Sequence, residues 1–303
     1  MSQPKENYSA KLRAKSMVYF VICIILTLIC LVPIYILIIN ATRKHVDIIS
    51  SVSFIPGSNL AANVKKLLND PMFQFDPFIG FKNSAIIAVG STVLSVFFSA
   101  LTAYGLVVYD FKLRGPAYTF ILVVMMVPMQ VTSVGFLQFM IKLGLSDSFI
   151  PLIVPTIAAP AIVFFMRQYL KSSFPLDIVE AARIDGCGEF RTFLTIAIPM
   201  MKPAIAVQAI FAFIQNWNNF YQPSMILVSR KFEQITMPMM INMLKSNDKI
   251  ADYGVIYAGI ALSIIPVVVI YLLLSRFIVE GVALGGVKDC LLYTSDAADE
   301  GLG

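Results

Sequence analysis

The sequence predicts an all-α membrane protein with six transmembrane helices, on three observations. Hydrophobic residues make up 58% of the 303-residue chain and charged residues 14%, against roughly 45–50% and about 25% in ordinary globular domains. The mean hydropathy of +0.80 agrees, so the excess apolar surface has to face lipid. Six separate stretches are long enough for a hydrocarbon core of ~30 Å, which takes about 20 apolar residues.

The first stretch, 17–39, exceeds a signal-peptide core and no small-residue cleavage site follows it, so it is expected to stay as an anchor. Lys5, Lys11, Arg13 and Lys15 precede it, which makes residues 1–16 a cytoplasmic tail. Residues 40–83 then form an outer loop with turn signals at Pro56-Gly57, Asp70-Pro71 and Asp76-Pro77 and an amphipathic stretch around 60–68. The remaining spans are expected at 84–107, 117–141, 149–169, 204–228 and 257–277, all within one membrane domain, 17–289. Counting through them puts the loops at 108–116 and 170–203, and the C-terminus, on the cytoplasmic side. Lys112 and Arg114 in the short loop, with the N-terminal tail, carry most of the charge bias. A second long outer loop, 229–256, contains Pro238, Met239 and Met240.

The inner loop between spans four and five is the most informative. Pro175 and Asp177 suit the first turn of a helix, where a missing N–H is harmless and a negative charge meets the helix dipole. That helix is expected to run through Asp185 and end at Gly186, which tolerates a left-handed cap. After Gly188 a second short helix puts Phe190, Phe193 and Leu194 along one side, with Pro199 as its stop. Water alone gives no reason for such a knob of mixed apolar and charged residues; a docking surface does.

These residues resemble a known pattern. Glu180-Ala181-Ala182, three residues, Gly186, nine residues and Ile196-Ala197-Ile198-Pro199 are similar to the EAA loop of ATP-binding-cassette (ABC) importer permeases, except that Ile198 stands where the family has Leu. The resemblance implies the type I ABC importer permease fold with both termini cytoplasmic. It also implies that the loop is a coupling helix seated in a cleft of an ATPase subunit, through Glu180, Ala181, Ala182, Asp185, Gly186, Ile196 and Pro199. Small Ala and Gly would allow close approach, and Glu180 would pair with a basic group on the motor.

Two further stretches resemble the carbohydrate-uptake, MalG-like branch. One is Trp217-Asn218-Asn219-Phe220 with Pro223, where Asn219 replaces an acidic residue of the branch. The other is Asp252-Tyr253, followed by 276–281 and Gly285-Gly286-Val287-Lys288. The implied partners are a second, MalF-like permease, a MalK-like ATPase dimer using ATP and Mg, and an extracytoplasmic solute-binding protein. The implied setting is the bacterial cytoplasmic (inner) membrane, and the implied cargo is sugars or oligosaccharides, with polyamine, phosphate or peptide as alternatives.

Polar groups inside a span are costly and face a bundle interior or a watery path. Gln130 in span three and Gln208, Gln215, Asn216, Asn218 and Asn219 in span five fit that description. Amides beside Trp217 or Tyr221 suit an uncharged polyol, which makes Gln130, Gln215, Trp217, Asn218, Asn219 and Tyr221 candidates for the translocation path. Equally open is that the amides bond across helices to hold the bundle. An ion-coupled transporter would need intramembrane carboxylates, and the spans contain essentially none. A membrane scaffold would have no need of amides in a span.

Nothing points to an enzyme. The single histidine, His45, excludes a His-based triad or metal site. The segment 281–288 only superficially resembles a phosphate loop, because Val287 precedes Lys288, no Ser or Thr follows and no strand leads in. The chain is therefore expected to bind no cofactor itself. The net charge of +5 is scattered and forms no nucleic-acid stripe. Cys23 and Cys30 read as small hydrophobes within span one. From about 290 the chain resembles the translation of a sequencing-library adapter, so 290–303 is expected to be non-native; a genuine short acidic tail is the alternative.

Overall fold

The computed structural model describes residues 5–246 and 252–275. The helices are α1 (Lys5–Ala41), α2 (His45–Ser50), α3 (Leu60–Asn69), α4 (Pro77–Val108), α5 (Arg114–Met125), α6 (Met129–Lys142), α7 (Ile150–Ile153), α8 (Pro160–Ser173), α9 (Asp177–Ile184), α10 (Glu189–Thr192), α11 (Ile198–Met200), α12 (Lys202–Trp217), α13 (Tyr221–Ile226), α14 (Met237–Ser246) and α15 (Tyr253–Ser275). Expectations placed on 276–288 and on the tail from 290 lie outside the described residues.

Among the described residues, four helical segments are long and apolar enough to cross a membrane, and taking each of two bent pairs as one span brings the number up to six. Spans three and five, expected as single helices, are both broken. Span three is α5 and α6, meeting at 94°. Pro128 stands extended at the N-cap of α6, with ψ 128° and no N–H to donate, and breaks the ladder there. Span five begins with α12 at Lys202, set at 80° to 189–200 at the end of the inner loop. Its first helix ends at Trp217, where Asn218-Asn219-Phe220 break the span between α12 and α13.

The described chain divides into two compact units. The first comprises Met1–Phe75 and Ile241–Leu262. From Met17 onward its α1 is apolar on every side, with 6% of its apolar window buried, as suits a helix surrounded by lipid. Where α1 ends, its last carbonyls lose their helical partners. Asn63 of α3 answers this, donating from Nδ2 to the carbonyls of Ala41 (2.8 Å) and Arg43 (2.9 Å). His45 stacks on Tyr253 and accepts its backbone N–H at Nδ1, 3.1 Å away. Gly254 sits so close that an added Cβ would lie 2.5 Å from the Arg43 carbonyl oxygen. Gly254→Ala is therefore expected to destabilise this unit by about 1–3 kcal/mol, the usual cost of overpacking, read as a lower unfolding midpoint in detergent.

The second unit, Asp76–Met240 with Ser263–Gly303, is organised around α4. Ser84, Ala88, Ser91, Ser95, Ser99 and Ala103 are buried on α4, and side chains this small let α8 and α12 approach closely. Prolines interrupt the stretch 150–160, and hydroxyls of α4 take up the exposed backbone. Ser91 Oγ donates to the Leu152 carbonyl (3.0 Å) and Ser99 Oγ to that of Ala159 (3.4 Å). Broken backbone at membrane depth is tolerated on that condition.

Candidate functional site

The loop that follows α8 folds back onto the end of α4. Its α9 carries Asp177 and Glu180 in the first turn, and Val179 and Ala182, three apart, face inward. The opposite side exposes Ile178, Glu180, Ala181 and Ile184, the last 87% exposed. Gly186 ends the helix at φ +76°, the Cys187 N–H donating to the Ala182 carbonyl (2.9 Å) and the Gly186 N–H to that of Arg183 (3.0 Å). This paired cap turns the chain sharply into α10. Of the residues carried over from the resemblance, Glu180, Ala181, Asp185 and Gly186 lie on the exposed side, while Ala182 packs inward and Ile196 is half-buried.

Two corrections concern the second helix. Pro199 does not stop it: the helix continues through Met200 and turns only at Met201, ahead of Pro203. A proline inside a helix clashes with the carbonyl four residues back, and here a π turn over Phe193–Ala197 precedes it and widens the backbone. Nor do Phe190, Phe193 and Leu194 share one fate. Phe193 is 1% exposed, whereas Phe190 and Leu194 reach solvent.

Phe193 joins the loop to α4. Its ring lies 5.3 Å from Tyr104 and 6.0 Å from Phe97, both on α4, and Tyr104 also meets Phe174 at 6.2 Å. A polar brace runs beside this aromatic cluster. Arg183 Nε donates to Glu189 Oε1 (2.7 Å), and the Tyr109 hydroxyl at the end of α4 donates to Glu189 Oε2 (2.7 Å). The Arg183 hydrogen bond, then that from Tyr109, holds the Glu189 carboxyl below its ordinary pKa. Burial, then the bond to Glu189, pushes the Tyr109 hydroxyl up to about 12.

Both shifts leave the brace intact at neutral pH. Glu189, with a depressed folded pKa, contributes stability above its unfolded pKa that is lost as pH falls through the folded value. Tyr109, with a raised one, contributes below its unfolded pKa of 10.0, and that is lost as pH rises toward about 12. Glu189→Gln is expected to speed amide exchange over 183–192 by about two- to fivefold at neutral pH, the worth of an exposed ion pair. In the native chain the protection of these amides, taken relative to their intrinsic exchange at each pH, should fall only under acid or strongly alkaline conditions.

A second region forms at the break in span five. Trp217, proposed above as a path residue, is 3% exposed. It stacks on Phe213 and Phe81, and its Nε1–H donates to the Ser263 carbonyl (3.1 Å), so it acts as a packing anchor for the break. Asn219 Oδ1 accepts the Gln222 N–H (3.2 Å) and its Nδ2 donates to Gln222 Oε1 (2.7 Å), which starts α13. The Tyr221 hydroxyl lies 2.9 Å from Ser133 Oγ on α6, and that hydroxyl in turn donates to the Gln130 carbonyl (2.7 Å). The breaks of spans three and five are thereby tied together through Gln130 and Tyr221. Gln130, Gln215 and Asn218 are exposed.

Sequence reasoning did not find Tyr109, Ser133 or the Arg183–Glu189 pair. Tyr109 and Glu189 lie 80 positions apart, and nothing local in either segment signals the other.

Residues 95–283 match the family described as "Binding-protein-dependent transport system inner membrane component". The chain is 35% identical over 268 residues to the arabinooligosaccharides transport system permease protein AraQ of Bacillus subtilis (strain 168), spanning 87% of this chain and 92% of that one. It is 33% identical over 215 residues to the lactose transport system permease protein LacG of Rhizobium radiobacter, spanning 71% and 77%. It is 28% identical over 264 residues to the sn-glycerol-3-phosphate transport system permease protein UgpE of Pectobacterium atrosepticum, spanning 86% and 93%. Among solved structures, a chain of a bacterial ABC transporter involved in the import of the acidic polysaccharide alginate superposes with a TM-score of 0.70 at 24% identity, over 87% of this chain and 96% of that one, which shows a shared fold.

Proposed function

Because this chain belongs to the family of binding-protein-dependent transport system inner membrane components, we propose that it is the permease subunit of an ATP-driven importer of sugars or oligosaccharides. The observation that carries this reading is the knob at 177–200, which is apolar and charged on its outer side and fastened to α4 on its inner side. An outer face of that kind suits a motor protein, and an inner face so fastened suits transmission of force.

The exposed side of α9, with Glu180, Ala181, Asp185 and Gly186, seats on one ATPase of a MalK-like pair, where ATP and Mg are bound. Closure of the motor moves α9, the aromatic cluster and the brace carry the movement to α4, and α4 carries it to α8 and α12. Access then alternates from outside to inside. Gln215 and Asn218, exposed on a chain of apolar spans, cannot face lipid cheaply. They face a watery path or a second permease, MalF-like or a second copy of this chain. A solute-binding protein delivers cargo on the outer side.

Of the relatives' named cargoes, arabino-oligosaccharides and lactose are uncharged polyols, while sn-glycerol-3-phosphate is a diol with a charged phosphate. Amides donate and accept without demanding a counter-ion, which suits the uncharged two. The importer reconstituted with its partner subunits should accumulate a labelled oligosaccharide only with internal or external ATP at the motor; accumulation driven by a proton or sodium gradient without ATP would overturn the reading. Asn219→Ala is expected to slow uptake by roughly two- to tenfold, the range of one lost hydrogen bond, and to alter preference among sugars. Unchanged rate and preference would leave the amides as bundle contacts only.

A further inference from the structure

Between the end of α4 and the start of α5 lies a cleft of about 640 Å³ lined by Asp110, Phe111, Lys112, Arg114, Gly115 and Arg167. Three of its six lining residues are cationic and one is anionic. Asp110 is a poor neutraliser: its side chain is 96% exposed and only 3.9 Å from Arg114, at the limit of an ion pair. Arg114 Nη1 is otherwise engaged by the Tyr109 carbonyl at 3.4 Å.

Arg167 is held from the side of α8. Its guanidinium stacks over the Tyr118 ring of α5, 3.7 Å from the centroid. That contact fixes the plane of the fork while leaving its edge free to donate. Its Nε is buried and meets no hydrogen-bond partner, a costly arrangement for a charged donor. The first turn of α5 has no side-chain cap on Leu113, and Gly115 in that turn brings bare backbone to the cleft. The positive end of the helix dipole therefore adds to the same field.

We infer that this cleft binds the phosphate group of an anionic membrane lipid on the face of the membrane that carries the knob. Tyr109 and Glu189 place the cleft and the knob on one face, and α4 ends and α5 begins at the cleft, which sets it at headgroup depth. Basic groups between spans at that depth attract anionic headgroups. Binding there would press the α4–α5 corner and α8 together one residue from Tyr109, the anchor of the brace. Nothing in this inference depends on the cargo or on ATP.

The test uses the assembled importer in bilayer discs of phosphatidylcholine, with and without phosphatidylglycerol, followed by native mass spectrometry of retained lipid. The native complex should retain phosphatidylglycerol preferentially, and retention should fall roughly fivefold for each basic residue removed. Arg167→Gln, Lys112→Ala and Arg114→Ala are the losses; Arg167→Lys, which keeps the charge, should retain most of the lipid. The exposed Lys112 is included so that unfolding does not mimic lost binding, and the unfolding midpoint of Lys112→Ala should match the native one. Inorganic phosphate separates the sources. Phosphate that binds in pure phosphatidylcholine and displaces the lipid at millimolar concentration would make the ligand a soluble phosphate and overturn the lipid assignment. Equal retention of both lipids by the native complex, or no change in the variants, would also overturn it.

Discussion

Replacing Phe193 by alanine is expected to destabilise the second unit by about 3–5 kcal/mol, the usual cost of removing a buried aromatic ring. Phe193 is 1% exposed and touches Phe97, Tyr104 and Phe190, so the hole it leaves opens between the loop and α4. Collapse of the surroundings is limited, because Ala100, Ala103 and Ala197 nearby are already fully buried. The measurement is the unfolding midpoint of the purified chain, read beside uptake in cells. A large drop in both is expected. Phe193→Leu, which refills most of the volume, should recover much of the stability. If it recovers stability yet transport stays low, the aromatic contacts themselves matter to force transmission.

Reversing the charge at Glu180 is expected to do the opposite: leave the fold alone and abolish transport. Glu180 is exposed on α9, and surface substitutions of this kind usually move stability by less than 0.5 kcal/mol. If it pairs with a basic group in the ATPase cleft, Glu180→Lys places like charges together in a closed interface, a cost of several kcal/mol. Uptake should fall to background and the ATPase should no longer co-purify, while the unfolding midpoint of the permease stays put. An ATPase that still co-purifies with full uptake would remove Glu180 from the docking surface. The two substitutions lie thirteen positions apart in one loop, and they separate its inward task from its outward one.

The membrane class, the six apolar segments and the first helix of the loop were legible in the sequence because each depends on local composition or a local cap. Gly186 is the clearest case, as a left-handed cap is nearly a one-residue decision. The breaks in spans three and five were less legible. Pro128 and the pair Asn218-Asn219 sit inside runs that remain apolar enough on average to pass as single spans. Trp217 was singled out for its position and type, but its burial was not legible, since it is set by Phe81 and Ser263 from elsewhere in the chain together with Phe213 one turn before it. Tyr109 and Ser133 were invisible for the same reason: a hydroxyl announces its partner only when the chain has folded.

The π turn at Phe193–Ala197 has one more consequence, for the length of the gene. Such a turn is an α-helix carrying one surplus residue, and removing any single codon within it would let the regular ladder close. The wide turn absorbs that residue, so everything beyond would keep nearly the same face against everything before. Phe193 and Met201, both sunk into the same core, would keep their seats. Deleting the codon of the exposed Thr195 should therefore be tolerated far better than a single-codon deletion inside the regular α12, where everything beyond rotates by about 100°.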